Sequence, residues 1–214
     1  MDEEITIIDS KTRNEKIKSF LIENKKAFIS GLVILLIIVF SFYSYQSYKE
    51  GHKKRLSDKY NSSIIEYKTG DKSKIVLSMK EVIKDKDSTY SPLALYFLID
   101  NNLIESLNEV NDLFDILIDK THLQNEIKNL IIYKKGLFNA DITGENELLN
   151  ILRPLINSKS VWKSHALYLL GEYFYSKNEK QKAKEFFNQI LTIDNANPNI
   201  VKEAQKRLNR DLSE

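Results

Sequence analysis

The chain contains no cysteine. That excludes disulfides, thiolate metal sites, iron–sulfur clusters and cysteine nucleophiles. It does not fix the compartment, because a thiol-free chain tolerates either redox environment. Glycine is scarce, with 6 residues in 214, and proline scarcer, with 3. Sheet proteins with many tight turns need more of both, and a phosphate-cradling loop needs clustered glycine. A surplus of one charge is missing too: 32 Lys+Arg face 30 Asp+Glu, leaving a net charge of +2. Nucleic-acid binding calls for a basic excess gathered on one face. These absences leave helices joined by short loops as the expected architecture.

Catalytic constellations are also lacking. The histidines are His52, His122 and His165, far apart and without an H-E-x-x-H pair. Ser164 and His165 are adjacent, but neighbours on a helix do not face each other. No G-x-S-x-G and no G-x-x-x-x-G-K-[ST] occurs. Acidic pairs such as Asp112 and Asp115 sit among Lys and Asn, as on a solvated helix face. No catalytic, metal-binding or cofactor-binding residue is assigned, no cofactor is expected, and the chain reads as non-enzymatic.

What is present is a long uncharged run. Residues 27–48 read AFISGLVILLIIVFSFYSYQSY. As a helix they would span roughly 33 Å, close to the hydrocarbon thickness of about 30 Å. Tyr43, Tyr45 and Tyr48 at the far end suit the headgroup interface. A buried core helix seldom needs about 20 apolar residues in a row. A cleaved signal peptide fits poorly, because six acidic residues precede the run and no A-x-A-like site follows it. The expected organisation is a cytoplasmic segment over 1–26, a transmembrane helix over 27–48 and a domain on the far side of the membrane over 49–214. Orientation rests on segment length. Basic flanks are nearly equal, with Lys11, Arg13, Lys16, Lys18, Lys25 and Lys26 before the run and Lys49, Lys53, Lys54, Arg55 and Lys59 after it. Short flanks dominate orientation while long domains cross regardless of charge, so the N-terminus is placed inside.

Beyond the run, Tyr48, His52, Leu56, Tyr60, Ile64 and Tyr67 continue a helical stripe. Gly70 is a plausible C-terminal cap. Ile75, Met79, Val82 and Ile83 form a second stripe, and Pro92 suits the first turn of another helix. Further helices are expected at about 92–101, 106–119, 123–139, 145–157, 161–177, 180–193 and 198–211, with polar breaks between them. No segment shows sustained period-two alternation.

The helices repeat. Within 164–197, Leu167, Leu170, Gly171, Phe174, Ala183 and Phe187 fall at offsets matching the tetratricopeptide pattern. Gly171 and Ala183 are small where two paired helices must approach. Asn178 lies at the inter-helix turn, where a left-handed residue is useful. The same frame fits more weakly at Gly136 with Leu148 and Leu152, at Leu98 with Val110 and Phe114, and at Ser63 with Ile75 and Met79. The expected fold is all-α: an N-terminal transmembrane helix, then an α-solenoid of about four helical hairpins closed by a capping helix carrying Ile200, Val201, Ala204 and Leu208. A non-repetitive helical bundle is the alternative. In the repeat frame, His165, Tyr168, Glu172 and Tyr175 face the concave surface, with Tyr133 at the place equivalent to Tyr168. Tyrosine offers contact area at low entropy cost, as peptide binding needs. The same side chains could instead pack between units.

Taken together, the N-terminus DEEI…RNEKIKSFLIENKKAFISG, one anchor, the aromatic exit YSYQSYKE and a degenerate helical-repeat domain resemble the YfgM-like family of ancillary SecYEG translocon subunits. The resemblance implies a single-pass protein of the bacterial inner membrane with its repeats in the periplasm. It also implies association with the SecYEG-type translocon and with a membrane-anchored periplasmic chaperone of the prolyl-isomerase type, to which exported chains would pass. An envelope-organisation or cell-division scaffold on the same repeats is a second reading, and an envelope enzyme with an unrecognised site a third.

Overall fold

The structure, a computed structural model, describes residues 15–212. Every regular element among them is helical. Residues 15–23 are helical. They are followed by α1 (Lys25–Glu66), α2 (Lys72–Lys84), α3 (Tyr90–Asp100), α4 (Leu107–Asp115), a single π-helical turn (Ile116–Lys120), α5 (Asn125–Asn139), α6 (Glu145–Ile156), α7 (Lys163–Ser176), α8 (Lys180–Leu191) and α9 (Pro198–Arg210). Contacts divide the chain into two compact units, Met1–Arg55 and Leu56–Glu214.

In the first unit, α1 is long and apolar enough to cross a membrane, and none of its apolar window is buried. Every side chain from Leu32 to Phe40 is exposed. Nothing in the described chain covers this surface, so the core-helix alternative has no partner to pack on.

The second unit is four helical hairpins and a cap: the end of α1 with α2, α3 with α4, α5 with α6, α7 with α8, then α9. Local chemistry sets the breaks. Asp71 Oδ1 accepts from Ser73 N at 2.9 Å and starts α2. Ser106 Oγ accepts from Glu109 N and starts α4. Asn197 Oδ1 accepts from Asn199 N, with Pro198 in the first turn of α9. Such caps satisfy backbone donors that the first helical turn leaves free.

Two hairpin turns are built alike. Asn102 and Asn178 adopt left-handed φ of 51° and 61°. Beyond each, an amide reaches back five residues, Leu103 N to Leu98 O and Glu179 N to Phe174 O, both 2.9 Å. This is the Schellman arrangement, and asparagine tolerates its left-handed residue. The expectation for Asn178 therefore holds. Gly70 differs: no glycine has positive φ. Its amide donates to Glu66 O at 2.6 Å, and a Cβ there would stand 2.8 Å from that oxygen. Close backbone approach, not a left-handed cap, selects glycine at this turn.

The repeat frame is the core. Ser63, Ile75 and Met79, Leu98, Val110 and Phe114, Gly136, Leu148 and Leu152, and Gly171, Ala183 and Phe187 are all buried. The apolar side chains among them join two clusters, one running from Leu56 to Ile131 and one from Ile132 to Leu212. At Gly171 a Cβ would collide with the Phe187 ring, and at Gly136 with Leu152. The expected stripe on α1 shifts by one residue. Ser63 is buried where Ile64 remains 37% exposed. Ser63 Oγ bonds the Lys59 carbonyl at 2.8 Å and Ser78 Oγ at 3.1 Å, so its burial leaves no polar atom unpaired. A second buried polar contact joins α4 to α5, where the Asn111 and Asn139 amides exchange hydrogen bonds of 3.0 and 2.8 Å.

Candidate interaction face

The first helix of each hairpin places one residue three positions before the frame anchor. It is Tyr60 before Ser63, Leu95 before Leu98, Tyr133 before Gly136 and Tyr168 before Gly171. Helical geometry puts such a residue on the same side of every first helix. Two of the three tyrosines reach an aromatic at the start of the next hairpin. Tyr60 packs on Tyr90 with centroids 5.8 Å apart, and Tyr133 stacks on Trp162 at 5.7 Å.

His165 completes the second contact. Its ring lies 5.7 Å from Tyr133 and 5.0 Å from Trp162. Nδ1 of His165 is sealed from solvent and makes no hydrogen bond of normal geometry. Burial lowers the His165 pKa, offset in part by the Val161 backbone, and burial raises that of Tyr133. Burial therefore favours the neutral form of both rings. Nearby in the fold, Tyr96 has a buried, unpartnered hydroxyl, and burial pushes its pKa up to about 12. Lys134 Nζ sits 4.7 Å above the Tyr96 ring.

Tyr168, Glu172 and Tyr175 gather around a residue from the cap. Arg207 on α9 donates Nε to Glu172 Oε1 at 2.7 Å and a second nitrogen to Oε2 at 2.5 Å. The same guanidinium lies 5.1 Å over the Tyr175 ring and bonds Asp211 at 2.9 Å. Tyr168 packs against Phe187 at 5.5 Å. Hydrogen bonds to Glu172 and Asp211 raise the Arg207 pKa, and those from Arg210 and Arg207 hold Asp211 well below the usual carboxylate range. Burial, then the Glu172 charge, raises the pKa of Tyr168.

All five expected face residues are half-buried. Tyr133 and His165 belong to one cluster, and Tyr168, Glu172 and Tyr175 to the other. Trp162 and Arg207 were not anticipated. Arg207 was detectable in the spacing, since it lies 35 residues after Glu172, as Tyr168 lies 35 after Tyr133. Chemically, this surface offers aromatic edges and one guanidinium–carboxylate ion pair. Among the described residues, no group of three His, Asp or Glu could hold a metal ion.

Residues 18–103 match the tetratricopeptide repeat-like domain family. The match covers the long apolar helix and the first hairpin, where the repeat pattern is weakest to the eye, and ends beyond α3. No curated protein and no solved structure gives a significant match. The family match and the four hairpins give a tetratricopeptide-like domain, a class whose stacked repeats present surfaces for other proteins.

Proposed function

We propose that this protein is a non-enzymatic, membrane-tethered scaffold at the protein-export translocon. Residues 1–26 lie in the cytoplasm, residues 27–48 cross the inner membrane once, and residues 49–214 present the repeats in the periplasm. The partners are the SecYEG-type translocon and a membrane-anchored, prolyl-isomerase-type periplasmic chaperone, and the scaffold helps pass exported chains from one to the other. The observation that carries this reading is one uncovered apolar helix on the same chain as a helical-repeat unit. The two partners themselves come from the family resemblance.

The mechanism follows from tethering. An anchor confines the repeat face near the membrane, which raises its effective concentration toward a membrane-bound channel. A weak peptide contact then suffices. Tyr133, His165, Tyr168, Glu172 and Tyr175 are the partner-binding candidates, and their half-buried rings leave edges free for contact.

Photocrosslinking in intact cells tests this. A photoreactive residue replaces Tyr175, and a control replaces the exposed Asn188 on α8. Capture of translocon subunits, a periplasmic chaperone or unfolded exported chains from Tyr175 alone supports the proposal. Capture of only cell-wall or division proteins favours an envelope-organisation scaffold. Equal capture from both positions overturns the assignment of the face.

A further inference from the structure

The helix over residues 15–23 is separated from α1 by a break at Asn24. Asn24 N bonds Phe20 O at 3.0 Å, and Phe28 N bonds Asn24 O at 3.1 Å. The Asn24 side chain takes part as well, donating Nδ2 to Phe20 O at 2.9 Å. Side-chain competition of this kind bends helices.

The bend has a direction. Residues eight apart in a straight helix are separated by about 12 Å along the axis. Yet the Phe20 and Phe28 rings meet edge to face at 6.0 Å. A groove of about 490 Å³ lies there, lined from both sides of the break by Phe20, Asn24, Ala27, Phe28, Gly31 and Leu35 among others. The concave side is therefore apolar.

The short helix is amphipathic about that side. Ile17, Phe20 and Leu21 fall on one face, Glu15, Ser19 and Glu23 fall opposite, and Lys16 and Lys18 lie on the flanks between them, Ile22 being the exception. Ile17, Phe20 and Leu21 are 50%, 57% and 46% exposed, so no described residue covers them. Residues 15–26 also hold four lysines against two glutamates.

We propose that residues 15–23 form an interfacial helix on the membrane surface, its apolar face among the acyl chains and its lysines at the anionic phosphates. The occupant follows from two features. The apolar face continues the lipid-facing surface of α1 around the inside of the bend. With α1 across the bilayer, that side alone turns toward the membrane, and the lysine-bearing side turns toward headgroups and water. The inference rests on the reading of α1 as a membrane anchor.

The absence of cysteine makes the test direct, since one introduced thiol takes one spin label. The full-length chain is placed in vesicles of phosphatidylcholine and phosphatidylglycerol. Labels at Ile17→Cys, Phe20→Cys, Leu21→Cys, Lys16→Cys, Ser19→Cys and Ile37→Cys are compared for access to oxygen, which enters lipid, and to a polar nickel chelate, which does not. The expected oxygen-to-nickel ratio is roughly tenfold higher at 17, 20 and 21 than at 16 and 19, and higher still at 37. Water exposure at all five N-terminal sites with lipid at 37 overturns this inference alone. Lipid at all five makes the segment a longer anchor and overturns it too. Shielding of 17, 20 and 21 from both reagents points to a protein partner or second copy and likewise overturns it. Water exposure at 37 overturns the anchor itself.

Discussion

The first and last hairpins of the repeat unit fill one structural position with opposite chemistry. In the last, Gly171 lets the Phe187 ring lie against the backbone of α7. In the first, Ser63 occupies the same place and bonds Ser78 across the pair. Both positions are buried, and both hairpins keep the frame spacing. The shared requirement is a small side chain at a close helix crossing, and whether it packs or hydrogen-bonds is secondary. That explains how a degenerate first repeat retains the architecture. It also implies that the two hairpins should differ sharply in their response to mutation.

The largest contrast is expected at the large partner. Phe187→Ala removes a fully buried ring and should destabilise the full-length protein in detergent by about 3–5 kcal/mol. For a unit of this size that lowers Tm by roughly 6–20 °C. Met79→Ala, at the matching position of the first hairpin, should cost about 2–5 kcal/mol and fall in the lower part of that range, since a flexible thioether neighbourhood collapses more readily. Thermal melts with near-ultraviolet circular dichroism decide this. Equal losses would dissolve the distinction between the hairpins.

Glycine positions sharpen it. A Cβ at Gly171 meets the body of an aromatic ring, whereas at Gly136 it meets the terminal atoms of Leu152. A leucine end can rotate away, while a ring held by Tyr168 and Ala183 cannot do so cheaply. Gly171→Ala should therefore cost about 1–3 kcal/mol through overpacking. Gly136→Ala should cost less, because the Leu152 end can yield where the ring cannot, and the unfolded-chain entropy gain of about 0.4–1 kcal/mol, common to both, then offsets a larger share of the strain. Combining Gly171→Ala with Phe187→Leu should recover stability relative to Gly171→Ala, a non-additive result that contacting residues produce.

Most of this fold was legible in the chain because it follows from spacing. Helix breaks at Asn101–Asn102, Thr143–Gly144 and Asn195–Pro198 matched, and so did every frame anchor. Periodicity reports which side of a helix is buried, and that is a local property. The site was less legible because its partners come from distant helices. Tyr133 and His165 could be placed on a face, but stacking on Trp162 depends on how two hairpins meet. Glu172 could be placed there too, but Arg207 reaches it from a helix read only for its apolar stripe. On α1 the two sequence readings disagreed: the repeat frame placed Ser63 inside, as found, while the apolar stripe placed Ile64 there, because hydrophobicity alone passes over a serine whose hydroxyl is satisfied. The bend at Asn24 coincides with a side-chain bond to Phe20, and periodicity encodes neither.

A middle-sized effect should appear at the cap. Arg207→Ala leaves Glu172 half-buried without its bidentate partner, with side-chain exposures of 26% and 29% for the pair. The expected cost is about 1–2 kcal/mol, below that of a fully buried pair. Hydrogen exchange should rise in α9 and the end of α7 before α2 changes. The first hairpin offers the smaller counterpart. Ser63→Ala removes one hydroxyl whose partner Ser78 can turn toward water, costing about 0.5–1.5 kcal/mol. A cap mutation that loosened α2 as much as α9 would mean the unit has no local order of stability.

Acidification should produce the smallest effect, and should confine it to the junction of the third and fourth hairpins. Burial lowers the His165 pKa relative to about 6.5 in an unfolded chain. The folded state therefore favours the neutral ring, and the unfolded state binds the proton more readily. This contribution is fully present above about pH 6.5 and is lost as pH falls from there through the folded value. The Tyr60–Tyr90 contact joins two hairpins at a similar centroid distance, tilted rather than stacked, and serves as an internal control. Between pH 7.5 and 5 the wild type should lose slightly more Tm than His165→Gln, and amide exchange should rise at α5 and the start of α7 but not at α1 and α3. A pH response of equal size in both proteins would assign the acid sensitivity to other groups and leave the Tyr133–Trp162–His165 contact a packing feature alone.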